Sequence, residues 1–333
     1  MWPQLIYNKL FVYYNGRMNA DEAVRRITEV IRRKHLALAT ERTYCAWLRR
    51  YCDFLKGLPL HLPSEHKLER FLTALAGKNV ASTTQNQAFN AIVFFYKEAL
   101  GAELKNVQAL RARRPAQIRH APTPAETRLL LKTIQSDAAF ATSLAVRLLY
   151  GCGLRVTEPL NLRIKDVNLE AAQLTIRAAK GGKDRVVAIP CSTLEDLREQ
   201  LQAAQAVWRR DQQDQVPVAL PHQLARKYPA AQFDRHWAWL FPANKTCLDP
   251  RTGKIVRWRL HEAQVQRAVR TACQKAGLFI LPHELRHAYA THCLNRGDNP
   301  RAIQNAMGHQ SLETTMGYLH AEALSVESPL DTV

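Results

Sequence analysis

Residues 101–121, GAELKNVQALRARRPAQIRHA, divide this chain. They read as a linker, with Arg111, Arg113 and Arg114 followed by Pro115. A single hydrophobic core stops growing near ~250–300 residues, so 333 residues interrupted in this way predict two domains. Their expected bounds are 21–100 and 122–333. Residues 1–20 form an N-terminal extension. That extension is aromatic and lacks the charged start and long apolar core of a signal peptide. Met18 precedes the first regular pattern, so Met1 and Met18 are both candidate starts.

The first domain reads as all helical. From Asp21, the residues Ala23, Ile27, Ile31 and Leu36 mark one stripe. A second helix runs from about Thr40, with Tyr44, Trp47, Leu48, Tyr51 and Leu55 at i, i+3, i+4 spacing. This aromatic stripe reads as core, and Arg42, Arg49 and Arg50 on the other positions are the candidate polyanion face. Pro59 and Pro63 break the chain before helices at 64–76 and 83–100. The second domain opens on Thr123-Pro124-Ala125-Glu126, a capping box with proline at the first helical position. A buried helix follows at 138–150. Residues 173–189 alternate, with Leu174 and Ile176, then Val186 and Ala188, around Lys180-Gly181-Gly182-Lys183-Asp184. That pattern predicts a β-hairpin with a glycine turn. A long helix covers 193–213, residues 214–256 are irregular, and helices resume at 260–276, 283–295, 300–307 and 312–319. The fold class is therefore mainly α with a small β-hairpin or sheet in the C-terminal domain, an α+β arrangement.

Charge indicates the partner. Lys+Arg number 47 against 29 Asp+Glu, a net charge of +18. The excess is not a tail, because the first 115 residues hold 19 basic and 9 acidic side chains. A balance this basic predicts a polyanion facing both domains. The linker arginines, Arg113 and Arg114 among them, suit a chain that wraps a polyanion or equally a solvated hinge. Seven cysteines at 45, 52, 152, 191, 247, 273 and 293 form no CxxC pair, so a reducing, cytoplasmic setting is expected. No apolar run approaches ~18 residues, and no membrane partner is expected.

Four segments of the second domain hold unusual polar groups. In Gly153-Leu154-Arg155-Val156-Thr157-Glu158, an arginine leaves a glycine-ended helix and enters another helix N-terminus, where it can grip an oxyanion; ordinary surface arginines are commoner. Lys180 sits at a hairpin tip beside two glycines that admit close backbone approach, although a turn lysine is usually only solvated. His283-Glu284-Leu285-Arg286-His287 places His283 and Arg286 on one helix face. Its i, i+4 histidines around a glutamate overlap with a zinc-protease motif, but Arg286 would stand beside the metal and a third ligand is wanting. No metal and no cofactor are expected. The fourth segment is Met307-Gly308-His309, followed by Thr314-Thr315-Met316-Gly317-Tyr318-Leu319-His320.

Each segment alone is a weak signal. Their order and spacing, in GCGLRVTE, AKGGKDR, HELRHAYATH and MGHQSLETTMGYLH, resembles the active site of tyrosine recombinases, the phage-integrase family, over about residues 22–330. The resemblance implies a two-domain clamp on DNA and assigns six catalytic groups. Tyr318 is the nucleophile that forms a 3′-phosphotyrosyl bond. Arg155 and Arg286 bind the non-bridging oxygens, and Lys180 donates a proton to the 5′-oxygen. His283 accepts the tyrosine proton or holds the transition state, and His309 hydrogen-bonds a phosphate oxygen. Glu158 orients these groups. Gly317, before the nucleophile, replaces a commoner apolar residue and loosens that helix by roughly 1 kcal/mol.

Residues 219–241, ALPHQLARKYPAAQFDRHWAWLF, together with Asp249-Pro250-Arg251-Thr252-Gly253, resemble the insertion that marks integron integrases. In that group the insert binds extrahelical bases of a folded single strand. Trp237 stands at the base-stacking position, with Trp239, Trp258 and Arg259 as further DNA contacts. The packing alternative for Trp237 and Trp239 is local core. The sequence departs from the group at 258–259, where a histidine pair is common. The tail after Tyr318 carries Leu324, Val326 and Leu330, and the resemblance implies that it docks on a neighbouring protomer in a homotetramer. The expected activity is integration and excision of gene cassettes at folded single-stranded and double-stranded sites. The alternatives are a Xer-like or phage-type recombinase on duplex sites, a type IB topoisomerase, and a catalytically silent architectural DNA-binding protein.

Overall fold

The computed structural model describes residues 19–59, 61–104, 121–177, 184–220 and 224–308. The hairpin tip with Lys180, the linker with Arg111, Arg113 and Arg114, and the segment expected as a helix at 312–319 lie outside them. The chain splits into two compact units, Met1–Gln117 and Ile118–Val333.

Among the described residues the first unit shows four α-helices: α1 Ala20–Arg33, α2 Leu38–Leu55, α3 Ser64–Gly77 and α4 Ser82–Phe94. Asn19 caps α1, its side chain accepting from the Asp21 N–H at 3.1 Å, which satisfies one of the orphan donors of the first turn. The stripes read from sequence form the core: Ala23, Ile27 and Ile31 of α1 pack with Leu48 and Tyr51 of α2 and with Leu68, Phe71, Ala88 and Ile92. Trp47 belongs to this core, its indole N–H donating to Gln87 Oε1 at 3.1 Å. The fourth helix is not one element to residue 100. It passes into a π-helical turn, Phe95–Ala99. There the consecutive rings of Phe95 and Tyr96 are both buried, and the Tyr96 hydroxyl lies 3.2 Å from that of Tyr51.

The second unit begins with α5, Pro124–Asp137, whose capping box is complete. The Thr123 N–H donates to Glu126 Oε2 at 2.8 Å and the Glu126 N–H to Thr123 Oγ1 at 3.2 Å. Helix α6, Phe140–Gly151, is buried nearly all round, which is why its sequence shows an apolar run rather than a stripe. A short α7, Thr157–Leu160, leads to a three-stranded antiparallel sheet of β1 Val167–Asn168, β2 Gln173–Ile176 and β3 Arg185–Ala188 in that order. The inward residue of β3 is Val187, not Val186 and Ala188 as the alternation suggested. The register pairs Val187 with Leu174, and a one-residue slip would exchange the faces. Val186 is 54% exposed. Helix α8, Leu194–Gln213, then runs to the insertion. α9 Leu224–Lys227 and a two-stranded hairpin, β4 Cys247–Leu248 with β5 Ile255–Val256, lie inside the stretch read as irregular. Helices α10 Glu262–Ala276, α11 Pro282–Asn295 and α12 Pro300–Met307 are the last among the described residues. α10 packs on α5 and α6, and α11 packs on α6.

The insertion is tied to α8 by a buried ion pair. Arg257 grips Asp211 with both arms, at 2.7 and 2.5 Å, and donates a further bond to the Ala243 carbonyl at 3.0 Å. No described helix is long and apolar enough to cross a membrane. Breaking this pair from one side strands a buried cation. Asp211→Ala should therefore destabilise the second unit by about 3–5 kcal/mol, whereas the apolar double replacement Asp211→Leu/Arg257→Met should fall near wild type. Urea unfolding of the three proteins checks this.

Candidate active site

The site starts where α6 stops. Past Cys152 the chain turns through Gly153 at φ +60°, a conformation that L side chains rarely adopt. A Cβ there would also lie 2.4 Å from the Tyr289 ring of α11, so glycine is required twice over. The turn delivers Arg155 to the start of α7. The Arg155 backbone N–H and one guanidinium nitrogen both donate to the carboxylate of Glu158, each at 2.9 Å.

Glu158 is the centre of the cluster. It is buried, and Arg185 of β3 clasps it with two nitrogens, at 3.0 and 2.7 Å. A third cation, Arg286 of α11, approaches the same carboxylate at 3.9 Å. Burial alone would raise the Glu158 carboxyl. The Arg185 hydrogen bonds and the Arg155 backbone N–H outweigh it and hold the group below the ordinary carboxylate range. One carboxylate among three guanidiniums leaves the cluster cationic, as a phosphate site needs.

Two of these arginines also fix the end of α12. Arg286 donates to the Gly153 carbonyl and to the Met307 carbonyl, both at 2.6 Å. The Arg185 Nε–H donates to the Ala306 carbonyl at 2.7 Å. The last carbonyls of a helix have no partner within it and carry its negative pole, so two cations there are doubly suited. α12 then closes through Gly308 at φ +65°, and the next residue in sequence is His309.

Of the six groups expected to be catalytic, the described residues include Arg155, His283 and Arg286. Arg155 and Arg286 meet around Glu158. Arg155 has the most exposed guanidinium of the cluster, its side chain 30% accessible. His283 is exposed one turn before Arg286 on α11, its ring edge-on to that of His287 at 5.6 Å between centroids. Lys180, His309 and Tyr318 lie outside the described residues. Among those residues no group of three His, Cys, Asp or Glu side chains is placed to hold a metal ion. Sequence reasoning missed Arg185. Its signal was available, because it closes the quoted AKGGKDR string and stands two residues before the inward Val187.

A second constellation lies in the insertion. Trp237 is half buried on the Arg235–Trp237 3₁₀ turn and packs against Ile164, Ala204, Val218 and Ala238. The Lys165 ammonium lies 2.8 Å from its ring centroid. Trp239 takes the packing alternative: it is buried, its indole N–H donates to the Arg257 carbonyl at 3.2 Å, and the Arg163 guanidinium covers its ring at 3.2 Å. Its burial and the cation over its ring favour the local-core alternative for Trp239 over a DNA contact. Trp258 is half buried against Ala219, Trp239 and Val256, and Arg259 donates to the Leu260 carbonyl at 3.0 Å. In the first unit Arg49 and Arg50 are exposed on α2, with Arg50 over the Trp47 ring at 4.9 Å.

The phage integrase family matches residues 122–324, and its N-terminal SAM-like domain matches residues 24–106. An integrase/recombinase of Escherichia coli is 37% identical over 328 residues, covering 95% of each chain. The tyrosine recombinase XerA of Pyrococcus furiosus is 32% identical, over 81% of this chain and 80% of that protein. Among solved structures, the XerH site-specific recombinase bound to palindromic difH substrate gives a TM-score of 0.60 at 21% identity, covering 95% of this chain and 86% of that one. A lambda integrase dimer bound to a core site gives 0.59 at 16% identity, covering 93% and 99%.

Glu158 makes the pH response of this site predictable. Its folded pKa is depressed, so its contribution is present above the ordinary carboxylate value and lost as pH falls below ~4.3. Glu158→Gln should cost roughly 3–5 kcal/mol at neutral pH by leaving buried guanidiniums unpaired. The gap between mutant and wild type should narrow as pH drops from ~4.3 through the lower folded value, which denaturant unfolding at pH 7 and about pH 3 tests.

Proposed function

The chain belongs to the phage integrase family of tyrosine recombinases, enzymes that cleave and rejoin DNA, and from that premise we propose that it is an integron integrase. On this reading it inserts and excises gene cassettes at folded single-stranded and double-stranded sites and works as a homotetramer. The observation that carries the reading is the insertion between α8 and α10. It is anchored by the buried Arg257–Asp211 pair and holds Trp237 half exposed on a short turn.

On this reading the cluster acts together with Lys180, His309 and Tyr318. Tyr318 Oη attacks the scissile phosphorus, the bond to the 5′-oxygen breaks, and a 3′-phosphotyrosine remains. Arg155 and Arg286 neutralise the non-bridging oxygens, where charge grows in the pentacoordinate state. Lys180 gives the 5′-oxygen its proton, His283 takes the tyrosine proton, and His309 hydrogen-bonds a phosphate oxygen. Glu158 holds Arg155 in place. The bond energy is kept in the phosphotyrosyl link, so neither ATP nor a metal is chemically required. A 5′-hydroxyl of the partner strand reverses the step and completes exchange. Arg49, Arg50, Arg113 and Arg114 contribute backbone contacts, with Trp258 and Arg259 beside the insert.

Trp237 offers a flat, sequence-tolerant platform for an unpaired base, and Lys165, already over the ring, supplies a cation for the adjoining phosphate. A second reading is a Xer-like recombinase acting on duplex sites. The likeness to Tyrosine recombinase XerA over most of both chains favours it, and the insertion weighs against it.

Two experiments test these statements. Tyr318→Phe removes only the nucleophilic oxygen, so DNA binding should persist while covalent protein–DNA adducts vanish from denaturing gels; adducts at the wild-type level would exclude Tyr318. Trp237→Ala should lose about 5- to 150-fold in affinity, roughly 1–3 kcal/mol, for hairpin sites with an extrahelical base. Fully paired duplex sites should bind almost unchanged. Equal losses on both DNAs with a large fall in melting temperature would assign Trp237 to packing and favour the duplex reading.

A further inference from the structure

We propose that Arg185 is a positioning residue for DNA cleavage: it holds the Glu158 carboxylate so that Arg155 and Arg286 can turn to the phosphate, and it clamps the end of α12 that leads to His309. The proposal rests on the recombinase reading of this site.

Arg185 uses all three of its nitrogens in one buried fork. Two meet the two oxygens of Glu158, at 3.0 and 2.7 Å, and the third meets the Ala306 carbonyl at 2.7 Å. Its side chain is 10% exposed, so it presents little surface of its own to DNA. Gly308 is pressed against it, since a Cβ on that glycine would lie 3.1 Å from Arg185 Cδ. One side chain therefore joins β3, the α7 carboxylate and the turn immediately before His309. β3 also begins five residues after Lys180 in sequence.

The charge argument is separate from the tethering. The other cations near Glu158 are Arg155, at 2.9 Å, and Arg286, at 3.9 Å. Those are the two guanidiniums assigned to the non-bridging oxygens. While Arg185 shares both carboxylate oxygens, the hold of Glu158 on Arg155 and Arg286 is divided and weaker. Without Arg185, Glu158 competes with the phosphate for both. Lysine cannot replace it, because a single ammonium cannot span two carboxylate oxygens and a carbonyl together.

The test is single-turnover adduct formation at saturating DNA, with DNA affinity and melting temperature measured in parallel. Arg185→Gln and Arg185→Lys should each slow cleavage about 10- to 100-fold, the scale expected when reacting groups shift by an ångström. The half-saturating DNA concentration should move by less than about threefold, because no phosphate contact is lost. Adding Glu158→Gln, which by itself loses the hold on Arg155, should cost Arg185→Gln far less rate than it costs wild type, because the competitor goes with it; two independent losses of packing would multiply. Should Arg185→Gln fail to fold, Arg185→Lys carries the test through the same split between rate and affinity. A soluble Arg185 variant that cleaves within threefold of wild type overturns the proposal, as does a double variant whose loss is the product of the two single losses. Wild-type protein that forms no adduct on any site DNA instead sinks the recombinase reading and the proposal with it.

Discussion

A carboxylate taken out of water is costly unless its charge and its lone pairs are met. Glu158 is such a group, and most of the second unit's site geometry follows from how it is met. It sits on a helix of four residues, too short to be stable by itself. Arg155 reaches it from the preceding turn, Arg185 from the sheet and Arg286 from α11. Four separate stretches of chain are thereby fixed to one point. The same arginines run on to the carbonyls of Gly153, Ala306 and Met307, so the αL turn at one edge and the helix end at the other are set by the same bonds. Three cations on one anion also leave an excess of positive charge, and a site that must stabilise a phosphorane needs that excess.

The insertion solves a related problem with different chemistry. Arg257 has a carboxylate partner in Asp211, but Arg163 is buried without a bidentate one. It donates to the carbonyls of Trp237 and Ala219 and lies on the Trp239 ring. Burial pushes its guanidinium down to about 9, which still leaves it protonated at neutral pH. A guanidinium is weakly hydrated and planar enough to stack, which an ammonium is not. The irregular backbone of the insert is held by these two cations more than by its short hairpin, and Trp237 inherits its position from the Arg163 bond to its carbonyl.

Local signals were the legible ones. The Thr123–Glu126 capping box, the aromatic stripe from Tyr44 to Tyr51 and the glycine-ended α6 were each written within a few residues, and each formed as read. The fold class followed from them. The face of β3 did not, because two adjacent valines, 186 and 187, fit either register until Leu174 chooses between them. The site was half legible. Arg155, Glu158 and Arg286 stood in recognisable strings, whereas Arg185 meets a carboxylate 27 residues away and a carbonyl 121 residues away in sequence. The Arg257–Asp211 pair, which spans the whole insertion, was invisible for the same reason.

This division bears on how the basic composition should be understood. Forty-seven lysines and arginines suggest one broad electrostatic surface, but the structure separates two populations. Arg163, Arg185, Arg257 and Arg286 are inside, engaged with carbonyls, carboxylates or an indole. Arg42, Arg49 and Arg50 are exposed on α2. Only cations that reach phosphates release counterions on binding, at ~0.7–0.9 in the slope of log affinity against log salt for each phosphate neutralised. On the proposed reading, the inner arginines hold the site in register without adding to that slope, apart from Arg286 at the scissile phosphate. Salt dependence thus reports the clamp, cleavage rate at saturation reports the buried cluster, and the two can be separated even though the same residue type builds both.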